Sequence, residues 1–315
     1  YNVIHSEFVP LFNPFQSYFD HLPSWDGVSD PIGDLADTVH VKSDQAEFRD
    51  YFRKWFVGIL PALLDDTVVN HEILVLIGEQ GLYKTTWFNF LLPPELRFGY
   101  TDSIDFKSKQ DAERSLGRFF LINIDEFDQI SVNQQGFLKH LLQKPVANLR
   151  KPYGTAIQEI RRYASFIATS NQKDLLTDPS GSRRFICIEV TGPIHTNVTI
   201  NYRQLYAQAM DAIAKGERYW LDDSDEAILK QTNREFEQPT PLEQLFLFLC
   251  HFHPAENEEE GDWMTPMEIL SFLQTKTKDR LSINKVALFG RALHKLGISS
   301  RRKTRGTEYH VVKKE

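Results

Sequence analysis

The sequence has no apolar run near the roughly 18 consecutive residues that a membrane helix requires. Its greasy stretches, 73–77, 119–122 and 245–250, stop far short of that length. Cysteine is scarce: Cys187 and Cys250 are the only two, and they stand too far apart for metal-ligand spacing. A reducing, cytoplasmic setting is the expectation from such usage. No basic-then-apolar leader opens the chain, which starts at Tyr1 rather than Met. It reads as a fragment of a longer protein. Repeats at solenoid periods are also missing. What is there is ordinary: 315 residues, 41% hydrophobic and 25% charged. That balance excludes a disordered chain, a collagen and a coiled coil, and leaves room for two domains or one large one.

The net charge of −7 hides an asymmetry. Residues 274–315 carry 12 Lys and Arg against 3 Asp and Glu, so the remainder carries 24 against 40. An acidic body with a basic tail suggests an anionic partner for that tail, although a plain solvated surface accounts for the charge too.

Residues 1–70 read as helical. Asn13 followed by Pro14 is a helix start, and Phe15, Tyr18, Phe19 and Leu22 recur at helical spacing. A second helix is expected from about Ser43 to Leu64, bent at Pro61, with an aromatic stripe suited to a core. From 71 to 237 the pattern changes. Continuous apolar runs at 73–77, 119–124, 164–169 and 185–190 suit strands buried on both faces, with helical patterns between the first three. This is the signature of an α/β parallel sheet flanked by helices. Residues 238–315 follow the joint Gln238-Pro239-Thr240-Pro241 and read as a small separate domain.

The run 73–77 leads into Gly78-Glu79-Gln80-Gly81-Leu82-Tyr83-Lys84-Thr85-Thr86 and then a helical pattern. Strand, glycine loop, Lys-Thr and helix make the context of a P-loop. Gly78 and Gly81 let backbone N–H groups face a phosphate, and Thr86 continues the loop into the helix. Lys84 would reach the β/γ-phosphates of ATP, and Thr85 would place its hydroxyl on Mg²⁺. The usual pattern has glycine where Tyr83 stands, so crowding near the phosphates is an expectation here. A strand-to-helix turn with a surface lysine is the bland alternative.

The second apolar run ends in Asp125-Glu126, which has the Walker B form. Asp125 would hold Mg²⁺ and Glu126 would orient and polarise the attacking water. The third run ends in Thr169-Ser170-Asn171, with Asn171 near the γ-phosphate. Arg183 and Arg184 follow Gly181, and an arginine there suits a finger reaching a neighbouring subunit's site.

Several stretches together resemble the virulence-associated E family. They are Leu149-Arg150-Lys151-Pro152-Tyr153-Gly154, then Arg161-Arg162, then 166–171, then 178–185. The resemblance spans roughly residues 10 to 235. It implies a P-loop ATPase similar to superfamily 3 helicases within the AAA+ class, with Asn171 in the sensor-1 role. It also implies a homo-oligomer, a hexameric ring among the options, and a primase-type domain upstream that this chain lacks. The segment 240–312 resembles a domain appended to some bacterial members.

The tail is winged-helix-like by pattern. Residues 282–296, with Lys285, Arg291 and Lys295, form the recognition-type helix, and Arg301, Arg302, Lys303 and Arg305 line the wing. Such residues would contact nucleic-acid phosphates, DNA being the expected partner. The expected function is an ATP-dependent nucleic-acid remodeller, a helicase of a phage or mobile-element replication protein. A nucleotide-dependent DNA-binding switch, or a DNA-binding module with a degenerate P-loop, are the alternatives.

Overall fold

The computed structural model describes residues 13–150, 157–177, 179–237, 241–255, 260–277, 286–304 and 306–314. The chain divides into two compact units, Tyr1–Phe236 and Glu237–Glu315.

The first unit opens with three helices: α1 (Pro14–Asp20), α2 (Pro31–Ala36) and α3 (Gln45–Leu64). Each starts on a side-chain cap. Asn13 Oδ1 takes the N–H of Phe15 at 3.0 Å, Asp30 takes that of Gly33, and Asp44 takes that of Ala46. Such caps satisfy donors that have no partner inside the helix and contribute about 1 kcal/mol each. Pro61 lies inside α3, one turn from its end, where the N–H it lacks removes only one bond of the ladder.

Five parallel strands follow in sequence: β1 (Ile73–Ile77), β2 (Tyr100–Thr101), β3 (Leu121–Ile124), β6 (Ser165–Ser170) and β7 (Phe185–Glu189). Their spatial order is β2-β3-β6-β1-β7. Between them in the chain lie α4 (Lys84–Asn89), α5 (Lys109–Leu116), α6 (Val132–Gln143) and an antiparallel hairpin, β4 (Val146–Arg150) with β5 (Ile157–Arg161). The helices α7 (Tyr202–Ala214) and α8 (Asp223–Thr232) come last.

Strand alternation feeds two cores, one on each face of the sheet. Leu74, Leu76, Ile167, Ile186 and Ile188 join the aromatic side of α1, α3 and α7. Ile73, Val75, Ile77, Phe166 and Phe185 join α5 and α6. The helices of the first seventy residues therefore share a core with the sheet. Phe48, Phe52 and Phe56 of α3 are fully buried there, each side chain contributing about 1.5–3 kcal/mol.

Arg162 pins the far side of this unit. It is buried and donates to the carbonyls of Ala164, Leu141, Leu142, Lys144 and Asn70, at 2.7 to 3.3 Å. Two of those carbonyls, Leu141 and Leu142, lie in the last turn of α6, where carbonyls lack a partner within the helix. Burial pushes its pKa down to about 9, with Glu72 opposing. The family-like Arg161-Arg162 pair thus contains one structural arginine.

The second unit holds α9 (Pro241–His251), β8 (Phe252–Pro254), β9 (Asp262–Met264), α10 (Pro266–Lys276), α11 (Val286–Lys295), β10 (Ser300–Lys303) and β11 (Gly306–Lys313). Thr265 and Glu268 form a reciprocal capping box at α10. Phe248, Phe252, Leu273, Phe289, Leu293 and Val311 make its core. Among its described residues, three helices pack with a four-stranded antiparallel sheet in which β11 pairs with β10, β8 and β9.

Candidate active site

Parallel pairing aligns the C-terminal ends of the strands. Ile77 stands opposite Ser170 on one side and Glu189 on the other, and Ile124 stands opposite Ala168. Gly78, Asp125 and Asn171 therefore leave the sheet along one edge, with β6 between the other two strands. Ligands of open α/β sheets bind at this edge.

The loop after β1 depends on close backbone approach. Gly78 N–H donates to Ser170 O at 3.1 Å, and a Cβ on Gly78 would sit 2.9 Å from Val190 O. Gly81 has φ 89° and Tyr83 has φ 64°. An L-residue in that left-handed region costs about 1–2 kcal/mol, which is why glycine suits the position of Tyr83. Tyr83 is 53% exposed. The departure from glycine thus takes the form of backbone strain at an exposed residue.

Lys84 is buried, 6% exposed. Its ammonium donates to Gly78 O at 2.7 Å, Glu79 O at 2.8 Å and Asn171 Oδ1 at 3.1 Å. Burial lowers its pKa, and the nearby Asp125 and Asp128 carboxylates pull it back up. Thr85 Oγ1 donates to Asp125 Oδ1 at 3.0 Å, and Thr169 Oγ1 donates to the same oxygen. Octahedral Mg²⁺ with bonds of 2.0–2.1 Å has neighbouring ligand oxygens about 2.9 Å apart. The hydroxyl and carboxylate pair of Thr85 and Asp125 fits that edge. Thr86 is exposed beside them.

Glu126 also has a left-handed backbone, φ 51°. Its N–H points to Thr169 Oγ1 at 3.4 Å and its side chain is exposed. Among the described residues, Tyr83 and Glu126 are the two non-glycine positions with positive φ. Both lie in this site, and strained backbone persists where surrounding structure holds it. Asp128, two residues on, accepts from Ser170 Oγ at 2.9 Å and from the Asn171 N–H at 3.2 Å. Sequence reasoning missed Thr169 and Asp128 as site residues. Each ties one loop to another, and only the strand order reveals that.

Arg183 and Arg184 are elsewhere. They directly precede β7, whose first residue, Phe185, stands opposite Ile73, at the start of β1. From there to the loop edge is about 13 Å of strand. Arg183 Nη1 donates to Glu226 Oε2 of α8 at 2.8 Å, and Arg184 is half-buried. The structure brings together Gly78, Lys84, Thr85, Asp125, Glu126 and Asn171, and keeps both arginines at the opposite edge of their own sheet.

The family model described as virulence-associated protein E-like domain matches residues 20–238. The chain belongs to the virulence-associated protein E-like family. A second model, described as a domain of unknown function from B. Theta, matches residues 239–311. No curated protein matches the chain. Among solved structures, one titled as the apo structure of the NrS-1 C-terminal region aligns at 12% identity and TM-score 0.45, over 94% of this chain and 78% of that one. A second, titled as its A form, aligns at 13% identity and TM-score 0.44, over 98% and 80%.

Within this virulence-associated protein E-like protein the family stretch 151–156 and Asp178 lie outside the described residues, as do Lys285 and Arg305 of the tail. Arg301 is tied down. Its Nε donates to Glu308 Oε2 at 2.8 Å, directly across the hairpin, and its guanidinium covers the Trp263 ring at 4.2 Å. Lys303 lies 3.7 Å from the same carboxylate. Arg302, Arg291 and Lys295 are exposed. No helix among the described residues is long and apolar enough to cross a membrane.

Proposed function

We propose that this virulence-associated protein E-like chain hydrolyses ATP with Mg²⁺ to remodel nucleic acid, as the motor part of a phage or mobile-element replication protein. One observation carries the reading: Lys84, Thr85, Asp125 and Asn171 meet within hydrogen-bond distance at the ends of β1, β3 and β6. Lys84 would hold the β/γ-phosphates by a charge-assisted contact, exchanging its bonds to Gly78 O and Glu79 O for phosphate oxygens. Thr85 and Asp125 would hold Mg²⁺, which supplies charge neutralisation at the phosphates. Glu126 would orient water, and Asn171 would sense the terminal phosphate. ATP hydrolysis stimulated by single-stranded DNA tests the first half, and strand displacement tests the second. Stimulated hydrolysis without displacement would leave a nucleotide-dependent switch.

Lys84→Ala should weaken ATP affinity at least tenfold, since a charged hydrogen bond contributes about 1.5–3 kcal/mol. Nucleotide titration checks this; unchanged affinity and turnover would sink the P-loop reading.

The tail hairpin is proposed to contact phosphates chiefly through Arg302, because Glu308 already neutralises part of Arg301 and Lys303. Arg302→Ala should lower the salt slope of DNA binding by about one unit. Arg301→Ala should change it less. Equal slopes for Arg302→Ala and wild type would make the hairpin plain surface.

A further inference from the structure

We infer that Asp128 is a positioning residue that sets Asn171 and the Glu126 turn for phosphate chemistry by a hydrogen-bonded clamp on the end of β6. The inference rests on the ATPase reading above. Asp128 belongs to the short turn Phe127–Gln129 that follows Glu126. Its carboxylate Oδ1 accepts the Asn171 backbone N–H at 3.2 Å and lies 2.9 Å from Ser170 Oγ. Ser170 Oγ in turn lies 2.6 Å from Gln172 O and accepts the Gln172 N–H at 3.1 Å. The carboxylate is thus tied into a folded end of β6, at the residue whose side chain meets Lys84.

The same stretch is held from the other direction. Thr169, two residues before Asn171, bonds Asp125 and receives the Glu126 N–H. Between these two ties sits Glu126, in a left-handed backbone that an L-residue adopts only when its surroundings fix it. Without Asp128, the Thr169 tie and the buried Phe127 would still hold the Glu126 turn, but no side chain of that turn would hold the end of β6 at Asn171. The Asn171 amide would lose its protein acceptor, and the Asn171 Oδ1 contact to Lys84 would lose its footing. Asp128 is half-buried and is one of two carboxylates that raise the Lys84 pKa. A charge role therefore competes with a clamp role, and chemistry separates them. An amide oxygen can accept the same Asn171 N–H and face the same Ser170 hydroxyl but carries no charge.

The test uses the full chain, Mg-ATP and single-stranded DNA, with kcat and nucleotide affinity measured separately. Asp128→Ala should lower kcat about 10- to 100-fold, the scale of a small misplacement in a site, with affinity within about threefold of wild type. Asp128→Asn should restore most of kcat. Amide hydrogen exchange gives a readout independent of turnover: Asn171 should lose protection in Asp128→Ala and keep it in Asp128→Asn. A variant Asp128→Ala with wild-type kcat and exchange overturns the clamp. Equal defects in Asp128→Ala and Asp128→Asn overturn it in favour of charge. If wild type shows no turnover, the ATPase reading fails, and unaltered Asn171 exchange in Asp128→Ala would then remove the clamp as well.

Discussion

Glu126→Gln should leave ATP bound and reduce its hydrolysis about 10²–10⁴-fold, the range a positioned general base contributes. The glutamine keeps the length of the side chain and a hydrogen-bonding head but cannot take a proton from water. Its left-handed backbone costs glutamine what it costs glutamate, so stability should not move. That makes the variant cleaner than Glu126→Gly, which would also relieve the strained φ of 51°. Binding should persist because Lys84 is held by Asn171 and Thr85 by Asp125, which Thr169 also holds, and none of these bonds uses the Glu126 side chain. The check is a nucleotide titration beside steady-state phosphate release. Full turnover in the variant would leave Glu126 as a cap of the following turn. Lost binding would instead show that the Asp125 end of the site had collapsed.

The candidate site was legible where its residues follow the end of a strand. Strands β1, β3, β6 and β7 are continuous apolar runs because both faces are buried, and Lys84, Asp125, Glu126 and Asn171 stand just beyond their ends. Strand order was not legible. Nothing local says that β6 lies between β1 and β3, so the bond from Thr169 to Asp125 could not be foreseen. Strand β2 spans only Tyr100–Thr101, too short for a period to show. Arg162 read as half of a basic pair, since its five carbonyl partners come from different stretches of chain. Glu308 read as one acid in a basic tail, and only the hairpin register sets it opposite Arg301. For β6 and Arg162 the missing information was long-range pairing, which no short window of sequence contains.

Assembly gives the largest expected effect. Arg183 and Arg184 sit at the start of β7, about 13 Å of strand away from the glycine loop of their own chain. An arginine side chain does not cover that distance back along a buried sheet. If either arginine serves ATP hydrolysis, it therefore serves a second copy of the chain. Arg183 already has a partner, Glu226 at 2.8 Å, but that pair is partly exposed. Exposed pairs contribute about 0–1 kcal/mol, little against a buried γ-phosphate contact. A finger supplied in trans can contribute about 10³–10⁵ in rate. The double variant Arg183→Ala, Arg184→Ala should therefore bind ATP normally and hydrolyse it at a basal rate. Mixing it with Glu126→Gln should recover part of the activity, because some interfaces then join an intact Glu126 to intact arginines. Activity should also rise more steeply than linearly with wild-type concentration while copies assemble. Co-assembly without recovery, shown by sedimentation of the mixture, would remove the trans role. Arg183 would then be only the partner of Glu226, holding α8 to the turn before β7.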